Sequence, residues 1–111
     1  SFGKSSHAPV FNEFLHYQDP LQAKHLPLRW IGAMKQWHQM VLGLPPLQKP
    51  VLIVQGTGDM TVDWKYNVPL LEQKLPNAKI VFVVDAGHQL VNESDAYRKQ
   101  VFAAIKNYFF N

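Results

Sequence analysis

PVLIVQGTGDMTVD, residues 50–63, is the stretch on which the fold turns. Val51, Leu52, Ile53 and Val54 form a continuous rather than alternating apolar run, which predicts a strand buried on both faces in a parallel sheet. The run breaks at Gln55 into Gly56-Thr57-Gly58-Asp59, where two glycines permit a tight turn that projects an acid. A helix from Trp64 to about Leu75 comes next, with Leu70, Leu71 and Lys74 at helical spacing. Pro69 is expected to kink or restart it, and Pro76-Asn77 to end it. Lys79 to Val84 is a second continuous apolar strand, at the interval expected of a strand, crossover helix, strand unit of right-handed connection.

Working outward, the last helix is predicted from about Ser94 to Phe110, with Tyr97, Val101, Phe102, Ile105, Tyr108 and Phe109 as its buried stripe and Arg98, Lys99 and Lys106 outside. On the other side, Pro27 to Leu42 reads as the main helix. Trp30, Ile31, Met34, Trp37 and Val41 share one face and are expected to pack as core. Gly43 is the expected stop, and Pro45-Pro46 forbids continuation. Asp19-Pro20 is a further helix-start signal. Residues 1–18 read as loop with one turn of helix at Phe11, Phe14 and Leu15. The resulting division is a helical segment, residues 1–49, and a strand-helix-strand-helix unit, residues 50–111.

Composition agrees with a core-forming domain. Of 111 residues, 47% are hydrophobic, 13% aromatic and 17% charged, which excludes a disordered tail. With no cysteine, disulfides, thiolate metal sites and Cys nucleophiles are excluded together. The net charge is +3, but the cations are scattered without a run of three, unlike the concentrated patch of a nucleic-acid reader. The longest apolar run, Ile80 to Val84, falls far short of the roughly 18 residues that span a bilayer. The first residues lack an initiating Met and a signal-peptide core. Cytoplasm is favoured, although the compartment is not legible.

Two parallel strands are hardly stable alone, so this α/β inventory is expected to be the carboxy-terminal part of a larger sheet, or to be completed by a partner chain. In parallel sheets, chemistry gathers beyond the carboxyl ends of the strands. One strand there leads to Asp59 and the other to Asp85-Ala86-Gly87-His88. An acid and an imidazole at neighbouring strand ends can meet, and such a pair is the orienting half of a nucleophilic triad. Each has a plainer reading: Asp59 as a helix cap, His88 as a loop histidine bonded to backbone. Asp63, immediately before Trp64, is the better pure cap. Asp85 fits a turn-capping role. His7, His16, His25 and His38 show no metal-ligand pairing and read as structural or surface residues.

PVLIVQGTGDMTVD followed by FVVDAGHQLVNES, residues 82–94, resembles the C-terminal portion of the α/β-hydrolase fold, specifically serine hydrolases of the lysophospholipase and monoacylglycerol lipase kind. That family's G-x-x-D acid loop matches Gly56 to Asp59, and its G-H loop matches Gly87-His88. The DPL and PLRW segments, Asp19 to Leu21 and Pro27 to Trp30, are similar to the stretch entering the last quarter of these proteins. The resemblance covers residues 19–111 and implies that the strands are the last two of the sheet, that Asp59 is the triad acid and that His88 is the base. It places residues 1–49 beside the family's cap region, which gives Trp30 and Trp37 a lipid-facing wall as the alternative to core packing.

One departure matters. The family's nucleophile sits in a G-x-S-x-G elbow upstream of the acid and the histidine, and this sequence has none; Gly3-Lys4-Ser5-Ser6-His7 has His at the second Gly and no preceding strand. The expectation is a fragment of a serine hydrolase that cleaves carboxylic esters of acyl lipids with a Ser outside this chain, inactive alone, needing no cofactor or metal. It is also expected to associate with itself or with a missing amino-terminal part. The alternatives are another chemistry on this fold (peptidase, epoxide hydrolase, dehalogenase) or a non-catalytic binding module.

Overall fold

The computed structural model describes residues 4–21 and 26–110; Phe2, Gly3 and His25 lie outside them. The elements in chain order are α1 (Pro9–Glu13), running into a π-turn at Phe14–Gln18, α2 (Leu28–Gly43), β1 (Val51–Gly56), α3 (Trp64–Lys74), β2 (Ala78–Val83), a 3₁₀ turn at Leu90–Asn92, and α4 (Asp95–Phe110).

β1 and β2 pair in parallel, with Val51 opposite Ala78 and Gly56 opposite Val83. The pairing carries β1 two residues beyond Val54, because Gln55 and Gly56 find ladder partners in Phe82 and Val83. β2 correspondingly runs one residue earlier than expected. Strand alternation splits the sheet's two faces. On one, Val83, Ala86 and Val101 form the core, with Val54, Leu90, Tyr97 and Ile105 packed against it, so α4 covers this face. On the other, Trp64 at the start of α3 lies 5.7 Å from Phe82. Asp63 caps α3 by accepting the Tyr66 amide, as its position predicts.

Several expectations are corrected. Two-sided burial of the strands is not reached within this chain: residues 51–55 are only partly covered and Phe82 is exposed, because the sheet has two strands among the described residues. Pro69 does not interrupt α3. In a helix of about three turns the ring removes a single amide, whose acceptor would be the carbonyl of exposed Lys65. Gly43 is the last residue of α2, with Leu44 as its cap. Asp19-Pro20 starts a turn rather than a helix, Asp19 accepting the Leu21 amide at 3.0 Å; α2 begins only after the Pro27 cap, and residues 22–25 lie outside the described residues.

The apolar stripes are corrected as well. On α2, Trp30 is 51% and Trp37 57% exposed, and Ile31 and Met34 are exposed with them. The stripe exists, but nothing among the described residues packs on it as core. Polar contacts hold the end of this helix: Lys74 Nζ donates to the Leu42 carbonyl at 2.8 Å and to that of Leu44, and His38 Nε2 lies 2.7 Å from the Tyr66 hydroxyl. On α4, Val101 is buried and Tyr97, Ile105 and Tyr108 are partly so, whereas Phe102 and Phe109 are exposed. Among the described residues no helix is long and apolar enough to cross a membrane.

The loops leaving both strands lie against each other. Thr57 N donates to Val83 O (3.1 Å), Gly58 N to Ala86 O (2.9 Å), and Asp85 N to Thr57 Oγ1 (2.7 Å). Among the described residues no glycine has positive φ; Asp85 alone among non-glycine residues does, at 67°. The glycines are therefore needed for closeness rather than for an unusual backbone. A Cβ on Gly56 would stand 2.4 Å from Ala86 O and 2.6 Å from Gly87 O, neither of which is a flexible side-chain end. Gly56→Ala is accordingly expected to destabilise the protein by about 2 kcal/mol or more, read as a fall in the urea unfolding midpoint at unchanged slope.

Candidate active site

Because the strands are parallel, both of their carboxyl ends emerge on one side, and the apposed loops place Asp59 beside His88. His88 Nδ1 is 2.8 Å from Asp59 Oδ2. The carboxylate is sheltered, with its side chain 3% exposed, while the imidazole is 36% exposed. Asp59 is held from several directions: Oδ1 accepts the Thr61 amide at 2.8 Å and the Val62 amide at 3.1 Å, and Oδ2 also accepts Gln55 Nε2 at 3.2 Å. The capping reading of Asp59 thus describes one of its oxygens, and the histidine pairing the other.

Burial alone pushes the Asp59 carboxyl upward, but the hydrogen bonds from His88, the Thr61 and Val62 amides and Gln55 together outweigh it and hold its pKa below the ordinary value. An ionised carboxylate only accepts, so Nδ1 carries the shared proton and Nε2 of a neutral ring carries the lone pair. No partner of Nε2 occurs among the described residues. A ring oriented in this way is equipped to take a proton from a hydroxyl placed at Nε2 and to return it later.

The other residues singled out in the sequence fall elsewhere. Asp63 caps α3. Asp85 occupies the left-handed turn ahead of His88 and bonds through its amide to Thr57. His16 packs edge-on against Tyr17 at 4.4 Å, and His38 meets Tyr66. His7 is bound to a residue that sequence pattern does not single out. Glu93, whose side chain has no exposed surface, lies under the histidine loop. Its Oε2 accepts Gly87 N at 2.8 Å and faces His7 Nδ1 at 2.9 Å. Its Oε1 accepts Ser94 N at 2.8 Å, lies 3.1 Å from Ser6 Oγ, and accepts the His7 amide. Ser6, in the segment that lacks the second elbow glycine, is buried and also within 2.8 Å of the Asn92 carbonyl. Burial pushes the Glu93 carboxyl up, yet the bonds from His7, the Gly87 and Ser94 amides and the His7 amide bring it down to about 2. The only sequence signal for this was an acid close behind the histidine loop.

A two-stranded parallel unit with an acid and a histidine at its strand ends is compatible with part of an α/β-hydrolase sheet, and comparison of sequences gives the family. The profile of the alpha/beta hydrolase fold family matches residues 12–94, and the chain belongs to that family. It is similar to the probable lysophospholipase L2 of Haemophilus influenzae (strain ATCC 51907 / DSM 11121 / KW20 / Rd), 30% identical over 87 residues. The match takes in 75% of this chain and 26% of that protein, so the chain spans about a quarter of the length of this curated relative.

The depressed Glu93 carboxyl makes a prediction with a definite sign. Its stabilisation is complete above the ordinary value of 4.5 and is lost as pH falls through about 2. The difference corresponds to about 3 kcal/mol at neutral pH. Urea unfolding of Glu93→Gln at pH 7 is expected to show a loss of that order, shrinking when both proteins are compared near pH 2; equal stability at pH 7 would contradict the role.

Proposed function

We propose that this chain carries the acid and base of a serine ester hydrolase acting on acyl esters of the lysophospholipid or monoacylglycerol kind. The observation that carries the reading is the 2.8 Å bond from His88 Nδ1 to the sheltered Asp59 carboxylate at adjoining strand ends. The name of the Haemophilus influenzae relative supports the substrate class. In this mechanism His88 Nε2 removes the proton from a serine hydroxyl as its oxygen attacks the ester carbonyl. The resulting imidazolium, steadied by Asp59, protonates the departing alcohol. The same ring then activates water to break the acyl-enzyme bond. These 111 residues hold no G-x-S-x-G elbow, and the serine and the oxyanion-hole donors are proposed to lie in sequence outside them.

The reading extends to assembly. Among the described residues the outer edge of β1 has no strand partner, and α2 and α4 carry exposed apolar residues, so this unit is proposed to be covered by the remainder of the hydrolase or by a second copy. Light scattering with intact-mass analysis of the purified 111-residue chain tests this. A stable folded monomer without a companion fragment counts against it.

The catalytic assignment is tested on the full-length protein with short-chain nitrophenyl esters. His88→Ala is expected to lower kcat/KM by about a hundred-thousandfold or more, and Asp59→Asn by roughly ten-thousandfold through the wrong tautomer. Retention of wild-type turnover in His88→Ala would remove the base assignment, whereas absence of turnover in the full-length protein itself would favour a binding module on this fold. The 111-residue chain alone is expected to show no turnover above a His88→Ala control.

A further inference from the structure

Glu93 is fully buried, ionised and bonded on both oxygens, yet it is outside the Asp59–His88 pair. Its position is informative. Oε2 takes the amide of Gly87, the residue immediately before His88, so the carboxylate grips the backbone from which the imidazole is hung. Both oxygens also grip a segment far away in sequence: Ser6 Oγ and the His7 amide lie at Oε1, and His7 Nδ1 at Oε2. The same segment touches the histidine loop directly, Gln89 N donating to Ser5 O at 2.8 Å. A Cβ on Gly87 would meet Ser5 O at 2.4 Å, so segment and loop are in backbone contact.

We propose that Glu93 is a positioning residue, which fixes the His88 imidazole against Asp59 by holding the Gly87 amide, and that Ser6 and His7 form the other half of this clasp. The proposal rests on His88 being the base, but its geometric content is independent of turnover. A buried carboxylate is suited to the task because a charged acceptor takes shorter, stronger amide bonds than a neutral one. Its several donors also fix it in a single place. Without that anchor the histidine loop is still tied through Ala86 to the acid loop and through Gln89 to Ser5, while Gly87, immediately before His88, loses the acceptor of its amide. A catalytic group displaced by about 1 Å loses on the order of a hundredfold in rate.

The test uses proton NMR of the full-length protein, following the deshielded Nδ1 proton of His88, assigned by its absence in His88→Ala. Glu93→Gln keeps the shape but turns one oxygen into a donor. It is expected to broaden or abolish that signal and to lower kcat on the order of a hundredfold with KM within about threefold. Val68→Ala, which loosens buried packing on α3, is expected to leave the signal in place. An unchanged Nδ1 signal in folded Glu93→Gln overturns the proposal. Should Glu93→Gln fail to fold, Ser6→Ala and His7→Ala each remove one partner of the carboxylate and are expected to speed solvent exchange of the same proton; unaltered exchange in both overturns it equally. Full turnover in His88→Ala would instead refute the base assignment and leave the NMR result to stand by itself.

Discussion

Parallel pairing is the constraint from which the rest of this structure follows. In register, Gly56 lies opposite Val83, so both strands stop at one level and their loops leave side by side. An antiparallel arrangement of the same segments would send Asp59 and His88 to opposite ends. The crossover through α3 makes the parallel order obligatory, and the bonds between Thr57, Gly58 and the 83–86 backbone then draw the loops together. Only after this does the choice of side chains matter. A carboxylate sheltered by the loops and an imidazole left partly open are the outcome of two turns filling one another's space.

The site and the scaffold divide their polar chemistry between two carboxylates with different neighbours. Asp59 faces a histidine that reaches solvent; Glu93 faces amides, a hydroxyl and a histidine that belongs to a distant segment. Both are held ionised against the cost of burial by bonds from several donors. Burial of charge is tolerated in both places because every oxygen is occupied, a condition under which removing one partner costs more than the pair contributes.

Much of this was legible in the sequence, for local reasons. Continuous apolar runs marked both strands, spacing marked α2, α3 and α4, and a strand end followed by glycine and an acid or histidine singled out Asp59 and His88. Strand limits were misplaced by one or two residues because Gln55 and Gly56 are neither apolar nor branched, and their pairing is decided by the neighbouring strand. The stripe of Trp30, Ile31, Met34 and Trp37 was found, but periodicity tells which face of a helix is apolar, not what lies on it. Glu93 was missed because its partners Ser6 and His7 are more than 80 residues away, a separation at which no local pattern carries information. Glycines 56 and 58 were read as permitting a tight turn, and a turn is present at residues 57–58; their further need for space was not legible, because it is set by a second loop and not by their own φ.

The interlocked loops also bear on how such a sequence can diverge. The place where Gly56 would carry a side chain is already filled by the carbonyls of Ala86 and Gly87, and that of Gly58 by the carbonyl of Asp85. A lineage cannot alter one turn and wait for the other to adjust, because the intermediate must push backbone against backbone. Change at this end of the sheet is therefore confined to simultaneous remodelling of both loops, or to the side chains that point away from the seam. Two stretches of chain separated by a helix behave, for the purposes of inheritance, as a single unit.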